Sequence, residues 1–155
     1  MGNYLIGSYS ARFDKSGRIK IPEKFREAIE EKYGKEVFIT SLTDQSVQIY
    51  PMPVWEKLTG ITQAGLFQFN PRIRNFMRRV NLQGSYYEID SKGRILIGQA
   101  LKEKTKLDNE VEVIGLNDHI EIWGKEAAFE QVESNPVTED DFKMIAELLP
   151  NKEKP

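Results

Sequence analysis

The chain writes one stretch twice. Asp14-Lys15-Ser16-Gly17-Arg18-Ile19-Lys20-Ile21 returns as Asp90-Ser91-Lys92-Gly93-Arg94-Ile95-Leu96-Ile97, with Asp, Gly, Arg and both Ile kept in place. Each copy is a short polar turn followed by alternating apolar residues, the period of a half-buried strand. A duplication of this kind sets the architecture before any single residue is considered, because each copy carries one supersecondary unit.

Around the first copy, Leu5 to Phe13 reads as a strand entering the Asp14–Gly17 turn. Ile19 and Ile21 face one way, Arg18 and Lys20 the other. Pro22 stops that strand and opens a helix in which Phe25, Ala28, Ile29 and Tyr33 recur at helical spacing, with Gly34 as its cap. Val37–Thr40 and Val47–Tyr50 are two further strands, and a short helix starts near Trp55. The second copy repeats the order: Tyr86, Tyr87 and Ile89 precede the turn, Leu101 matches Phe25, and Val111–Ile114 and Ile120–Trp123 match the later strands.

The expected organisation is a first repeat over 5–53, a helical linker over 54–80, a second repeat over 81–125, and a C-terminal helix with an acidic tail over 126–155. Gly60, Gly65 and Asn70-Pro71 break the linker, and Asn70 caps a helix carrying Ile73, Phe76, Met77 and Val80 on one face. Arg72, Arg74, Arg78 and Arg79 lie mostly elsewhere on that helix and are read as candidates for packing or assembly. Phe142, Ile145, Leu148 and Leu149 give a last short helix.

Composition narrows the function. No apolar run approaches the roughly 18 residues of a membrane span, and no basic-then-apolar leader opens the chain. The absence of cysteine removes disulfides and thiolate chemistry and suits a reducing, cytoplasmic setting. One histidine, His119, stands without a nucleophile pattern beside it, and neither a phosphate-cradling loop nor a metal-ligand cluster occurs. The expectation is a non-enzyme with no cofactor, no metal and no small-molecule substrate.

A formal net charge of −2 conceals an uneven distribution: Arg12, Lys15, Arg18, Lys20, Lys24 and Arg26 crowd one segment, while acids dominate from Glu133 onward. Arg suits bidentate contact with phosphate and guanine edges. Gly17 and Gly93 let the chain turn tightly beside it, and Asp14 and Asp90 hold the turns by accepting backbone N–H groups. One such turn is ordinary; two in matching settings point to a shared binding face. A rival from another class is a protein-binding or assembly module that uses the same doubled scaffold.

Taken together, Gly7-Ser8-Tyr9, Asp14 to Arg18, Ile19 to Pro22 with Phe25-Arg26, Tyr50-Pro51, Trp55, Asp90 to Arg94, Ile95 to Ile97 and Glu121-Ile122-Trp123 resemble the MraZ family of two AbrB-like (SpoVT-AbrB) repeats. The match runs from about Leu5 to Phe129. The resemblance implies a mainly β fold with short helices (α+β), a pseudo-two-fold swapped-hairpin β-barrel built from the two repeats. It also implies a nucleoid-associated, sequence-specific transcriptional regulator of the repressor type. Such a protein binds direct repeats of double-stranded DNA in the promoter of the division and cell-wall gene cluster, as a homo-oligomeric ring.

Carried over by position, Arg18 and Arg94 contact DNA, Asp14, Gly17, Asp90 and Gly93 shape the turns, and Lys15, Lys20 and Lys92 meet phosphates; Arg12 is grouped with the DNA-binding set. Three positions depart from the family pattern. Ile6 stands where an Arg is usual, Gly98 where the second repeat has Pro, and Lys102 where the first copy has Arg26. They imply a missing N-terminal contact, a looser strand-to-helix corner, and a second repeat that binds more weakly or serves mainly in assembly.

Overall fold

The structure is a computed structural model that describes residues 4–60 and 69–149. The part of the expected linker that includes Gly65 lies outside the described residues. Two compact units result, Met1–Lys125 and Glu126–Pro155.

Among the described residues the first unit holds eight strands: β1 (Ser8–Arg12), β2 (Arg18–Lys20), β3 (Glu36–Thr40), β4 (Val47–Pro51), β5 (Ser85–Glu88), β6 (Arg94–Leu96), β7 (Glu110–Gly115) and β8 (Ile120–Gly124). Its described helices are α1 (Glu23–Tyr33), α2 (Met52–Thr59), α3 (Pro71–Gln83) and α4 (Gln99–Lys104). Six strands form one antiparallel sheet in the order β1-β7-β8-β4-β3-β5, and β2 pairs with β6 in a separate two-stranded ribbon.

That order is a palindrome of the duplication. Exchanging each strand for its counterpart, β1 for β5, β2 for β6, β3 for β7 and β4 for β8, returns the same sheet read backwards. The pseudo-two-fold axis therefore passes between β4 and β8 and between β2 and β6. Each copy gives its first strand to the other copy's half: β1 pairs with β7, and β5 with β3. The expected exchange of hairpins is present, in a two-repeat, mainly β architecture. The closed barrel is not: the described strands form an open six-stranded sheet plus a ribbon. Closure fails because β2 and β6 bond to each other rather than to the six-stranded sheet; in the first copy a single Phe13–Ile19 bridge links β2 to the residue after β1.

One apolar core draws on both copies. Ile19, Ile21, Phe25 and Ile29 from the first pack with Ile95, Ile97, Leu101, Val111, Val113, Ile120 and Ile122 from the second, all nearly inaccessible to water. Neither copy buries these faces alone, so the two sequence repeats make a single folding unit. The first strand is shorter than Leu5 to Phe13, since Leu5 joins the sheet only through an isolated bridge to Asn117. A second cluster of Phe38, Tyr50, Trp55 and Val80 seats α2 and α3 on the outer side of β3 and β4. Phe38 and Trp55 stack there at 4.7 Å. A Cβ at Gly84 would fall 2.3 Å from the Phe38 ring, so the helix end needs a residue without one.

The second unit contains α5 (Lys125–Ser134, which starts on the last residue of the first unit) and α6 (Glu139–Leu148). Helix α6 begins with a reciprocal capping box between Thr138 and Asp141. The spacing of Phe142, Ile145 and Leu148 marks α6 in the sequence, whereas the apolar residues of α5 are too sparse to mark a helical face.

Candidate nucleic-acid interface

Both repeated turns are built by the same atoms. The Asp14 backbone N–H donates to the Arg18 carbonyl at 2.8 Å, and the Gly17 N–H donates back to the Asp14 carbonyl at 3.1 Å. Asp14 Oδ1 accepts from the N–H groups of Ser16 (2.9 Å) and Arg18 (3.0 Å) and from the Ser16 hydroxyl (2.7 Å). In the second copy Asp90 Oδ1 accepts from the N–H groups of Lys92 (2.9 Å) and Arg94 (2.8 Å). Gly17 and Gly93 take φ of +83° and +78°, the left-handed region that a Cβ disfavours. The turns thus need Asp as the internal acceptor and Gly at the bend.

Donated hydrogen bonds lower the pKa of both carboxyls. For Asp14 the Ser16 hydroxyl contributes most, followed by the Arg18 N–H; for Asp90 the Arg94 N–H leads. Each carboxylate also fixes the residue directly after the glycine, Arg18 or Arg94, where the following strand begins.

The two turns are coupled across the axis. Gly93 O accepts from Ile21 N–H at 2.9 Å, and Gly17 O from Ile97 N–H at 3.5 Å. In the ribbon Arg18 faces Leu96, Ile19 faces Ile95 and Lys20 faces Arg94. Ile19 and Ile95 point into the core, which turns Arg18, Lys20, Arg94 and Leu96 outward on one face. Placing Lys20 directly opposite Arg94 sets like charges side by side, a cost that a bound anion would remove.

The copies are not equivalent in detail. Arg94 is held by Asp90 Oδ2 at 2.9 Å and by Asp14 Oδ2 at 3.4 Å. Arg18 has only the Ser16 hydroxyl, at 3.1 Å, among the described residues. Arg26 braces the second turn: its Nη2 donates to the Ser91 carbonyl at 3.1 Å, its Nε pairs with Glu30 at 3.0 Å, and its stem lies against Gly93. Lys102, the counterpart of Arg26, instead sits over the Phe13 ring at 4.0 Å. The role of Arg26 was not readable as a brace, since its partner lies 65 residues away and meets it only through the strand exchange. Gly98 adopts φ −60° and ψ 150°, close to the −50° and 137° of Pro22, so the second corner keeps the geometry of the first.

Of the remaining candidates, Lys15 and Lys92 are exposed on the two turns, beside the ribbon face. Arg12 pairs with Glu110 across the β1–β7 strands, and it lines a groove of roughly 460 Å³ with Lys20, Lys24, Tyr9 and Glu23. Arg72, Arg74 and Arg78 are exposed on α3, whereas Arg79 turns inward to Asp44, which also accepts from Gln83. His119 stacks on Tyr50 at 4.4 Å with its Nδ1 2.8 Å from Asp118, a packing role. Among the described residues no three His, Cys, Asp or Glu side chains gather as metal ligands, and no helix is long and apolar enough to cross a membrane.

Strand-exchanged repeats that present two Asp-braced, Arg-bearing turns on one ribbon define a two-repeat β protein with a cationic face. The chain belongs to the MraZ family: the family model described as "MraZ protein, putative antitoxin-like" matches residues 4–72 and again 83–149. Similar curated proteins carry the name transcriptional regulator MraZ. One from Acidobacterium capsulatum is 36% identical over 92% of this chain and 97% of its own length. One from Koribacter versatilis is 31% identical over the same shares. One from Nitrosomonas eutropha is 33% identical over 76% of this chain and 78% of its own length. These relatives are named as regulators rather than enzymes, in keeping with the non-enzymatic reading of the sequence.

Proposed function

We propose that this chain is a cytoplasmic, nucleoid-associated transcriptional regulator that binds double-stranded DNA through its paired Asp-x-x-Gly-Arg turns. The observation that carries this reading is the ribbon register: Arg18, Lys20 and Arg94 share one exposed face, with Lys20 opposite Arg94 and no carboxylate within ion-pairing reach of Arg18 among the described residues. Such a face attracts a polyanion and offers guanidinium groups to base edges. Lys15 and Lys92 flank it as phosphate contacts that set position rather than sequence. The relatives' shared name supports the regulatory role.

In its finer form the reading takes direct repeats in the promoter of the division and cell-wall cluster as the target, and a homo-oligomeric ring as the binding form. One ribbon spans few base pairs and binds weakly. Linked copies on repeated sites raise the effective concentration and hence the avidity by orders of magnitude.

The test is fluorescence anisotropy with the protein's own upstream DNA and a scrambled control across a salt series. The reading expects specific binding that weakens steeply with salt. Equal, weak binding to both DNAs would overturn it and favour a protein-binding module.

A further inference from the structure

The outer side of β3 and β4 carries a row of rings that ends in a pocket. Phe38 stacks on Trp55 at 4.7 Å, Trp55 meets Tyr50 at 5.1 Å, and Tyr50 stacks on His119 at 4.4 Å. Tyr50 and His119 then line a pocket of about 650 Å³ between the C-terminal end of α1, one face of α2 and the β7–β8 turn. That volume is usual for a small-ligand site. Its described lining includes no residue of the ribbon or of the repeated turns.

The duplication supplies its own comparison. Tyr50 on β4 and Trp123 on β8 are counterparts in the two copies, and Trp123 Nε1 donates to Glu121 at 2.8 Å. Tyr50 is only 4% exposed, yet its hydroxyl has no hydrogen-bond partner among the described residues. A buried phenol normally finds one. Burial, followed by the charges of Glu121 and Asp118, pushes its pKa up to about 12, so the group keeps its proton as a donor. The cations at the pocket are also unmatched. Lys57 makes no ion pair among the described residues, and Lys32 lies over the rings of Tyr4 and Tyr33, at 5.0 and 5.3 Å, rather than on a carboxylate. Asp118, the acid of the described lining, is turned to His119 Nδ1 at 2.8 Å.

We propose that this pocket binds a nucleoside phosphate. The base lies against the ring wall of Tyr33 and His119, the phosphate meets Lys32 and Lys57, and the Tyr50 hydroxyl donates to the base or sugar. Stacking accepts any planar base, whereas the ammonium groups select for a charged ligand over a neutral ring. An uncharged aromatic would leave the lysines unused, and a bare anion would leave the rings unused. The inference goes beyond the proposed function and does not depend on DNA.

The test is titration of the full chain, free of DNA, with AMP, GMP, CMP and UMP, followed by two-dimensional 1H–15N NMR. At least one nucleotide is expected to saturate, with shifts gathered at Tyr33, Tyr50, Lys57 and His119. The matching nucleoside without phosphate, and inorganic phosphate alone, are each expected to bind ~10-fold or more weakly, as for loss of a charge-assisted contact. Tyr50→Phe and Lys57→Gln are each expected to weaken binding ~5-fold or more, the range for one hydrogen bond to a ligand. Tyr50→Phe keeps the row of rings and Lys57 is exposed, so both variants should melt like the parent without ligand. Failure of all four nucleotides to saturate, equal binding of the nucleoside, or parent-like binding by either variant would overturn the proposal. Shifts gathered on Arg18, Lys20 and Arg94 would overturn it too, by making the nucleotide a ligand of the ribbon.

Discussion

Arg94 of the second repeat reaches across the ribbon to Asp14 of the first, Nη1 to Oδ2 at 3.4 Å, and no reciprocal bond joins Arg18 to Asp90 among the described residues. The duplication is symmetric in its strands and asymmetric in its charges. One guanidinium is committed to holding the turns together, and the other meets no carboxylate among the described residues. Replacing each with Ala should separate these tasks. Arg18→Ala is expected to leave the melting temperature unchanged and to weaken specific DNA binding by ~10-fold or more, the range for losing an Arg contact to a base edge. Arg94→Ala is expected to lower the melting temperature measurably as well as binding. Thermal unfolding with DNA anisotropy on both variants checks this, and equal binding by Arg18→Ala and the parent would remove the ribbon from the site.

The acid limb of stability should report the two turn carboxylates. Both have folded pKa values below the ordinary 3.8, through the Ser16 hydroxyl and Arg18 N–H for Asp14 and chiefly the Arg94 N–H for Asp90. A lowered folded pKa means the unfolded chain takes up the proton first. The stabilisation is therefore complete above about pH 4 and is lost as pH falls through the folded values. Asp14→Asn and Asp90→Asn should each flatten the decline in unfolding midpoint on acidification, and carboxyl NMR titration should show both groups titrating late. Normal titration of both would contradict the turn geometry.

How far the sequence alone reaches is visible in the same residues. The turns, the alternating Ile pairs, the corner prolines and the helix over Glu23–Tyr33 were legible because each is a local pattern: Asp accepts from neighbours, Gly bends, and Pro22 stops a strand. The open sheet was not, since closure depends on whether β2 and β6 bond to each other or to the strands flanking them, a choice between partners of like pattern. Nor was the asymmetry of the site. Arg18 and Arg94 occupy identical motif positions, and only the distance from Arg94 to an aspartate of the other copy tells them apart. Arg79 looked like its three neighbours on α3 until Asp44, held at φ +66° in a distant turn, met it.

The two bend glycines should differ in their tolerance of a methyl group. Both hold positive φ, so Ala costs about 1 kcal/mol at either from backbone strain. At Gly17 the added Cβ meets Leu96 Cδ1 at 3.6 Å and the Ile97 carbonyl oxygen at 4.0 Å, both ordinary contacts. At Gly93 it would lie 2.9 Å from Arg26 Cδ, so the brace must shift and its bond to the Ser91 carbonyl weakens. Gly93→Ala is expected to destabilise more than Gly17→Ala in denaturant unfolding, and combining it with Arg26→Ala should recover the excess. An equal loss for both glycines would mean the brace is not rigid.

The ribbon itself can be loosened from inside. Ile19 and Ile95 face each other across the pseudo-two-fold axis, both essentially without solvent exposure, and they anchor the face that carries Arg18, Lys20 and Arg94. Truncating Ile95 to Ala removes a buried side chain from a core shared by both copies, at a cost of about 2–5 kcal/mol. Because the core is common, the loss should appear as a single cooperative transition at lower denaturant rather than as unfolding of one repeat before the other. Ile95→Val should cost about 0.5–1.5 kcal/mol and leave DNA affinity near the parent's, since the ribbon register survives. Denaturant titrations monitored by both far-UV circular dichroism and Trp fluorescence decide this: coincident curves mark one interlocked unit, and two separated transitions would mean the repeats fold independently despite their exchanged strands.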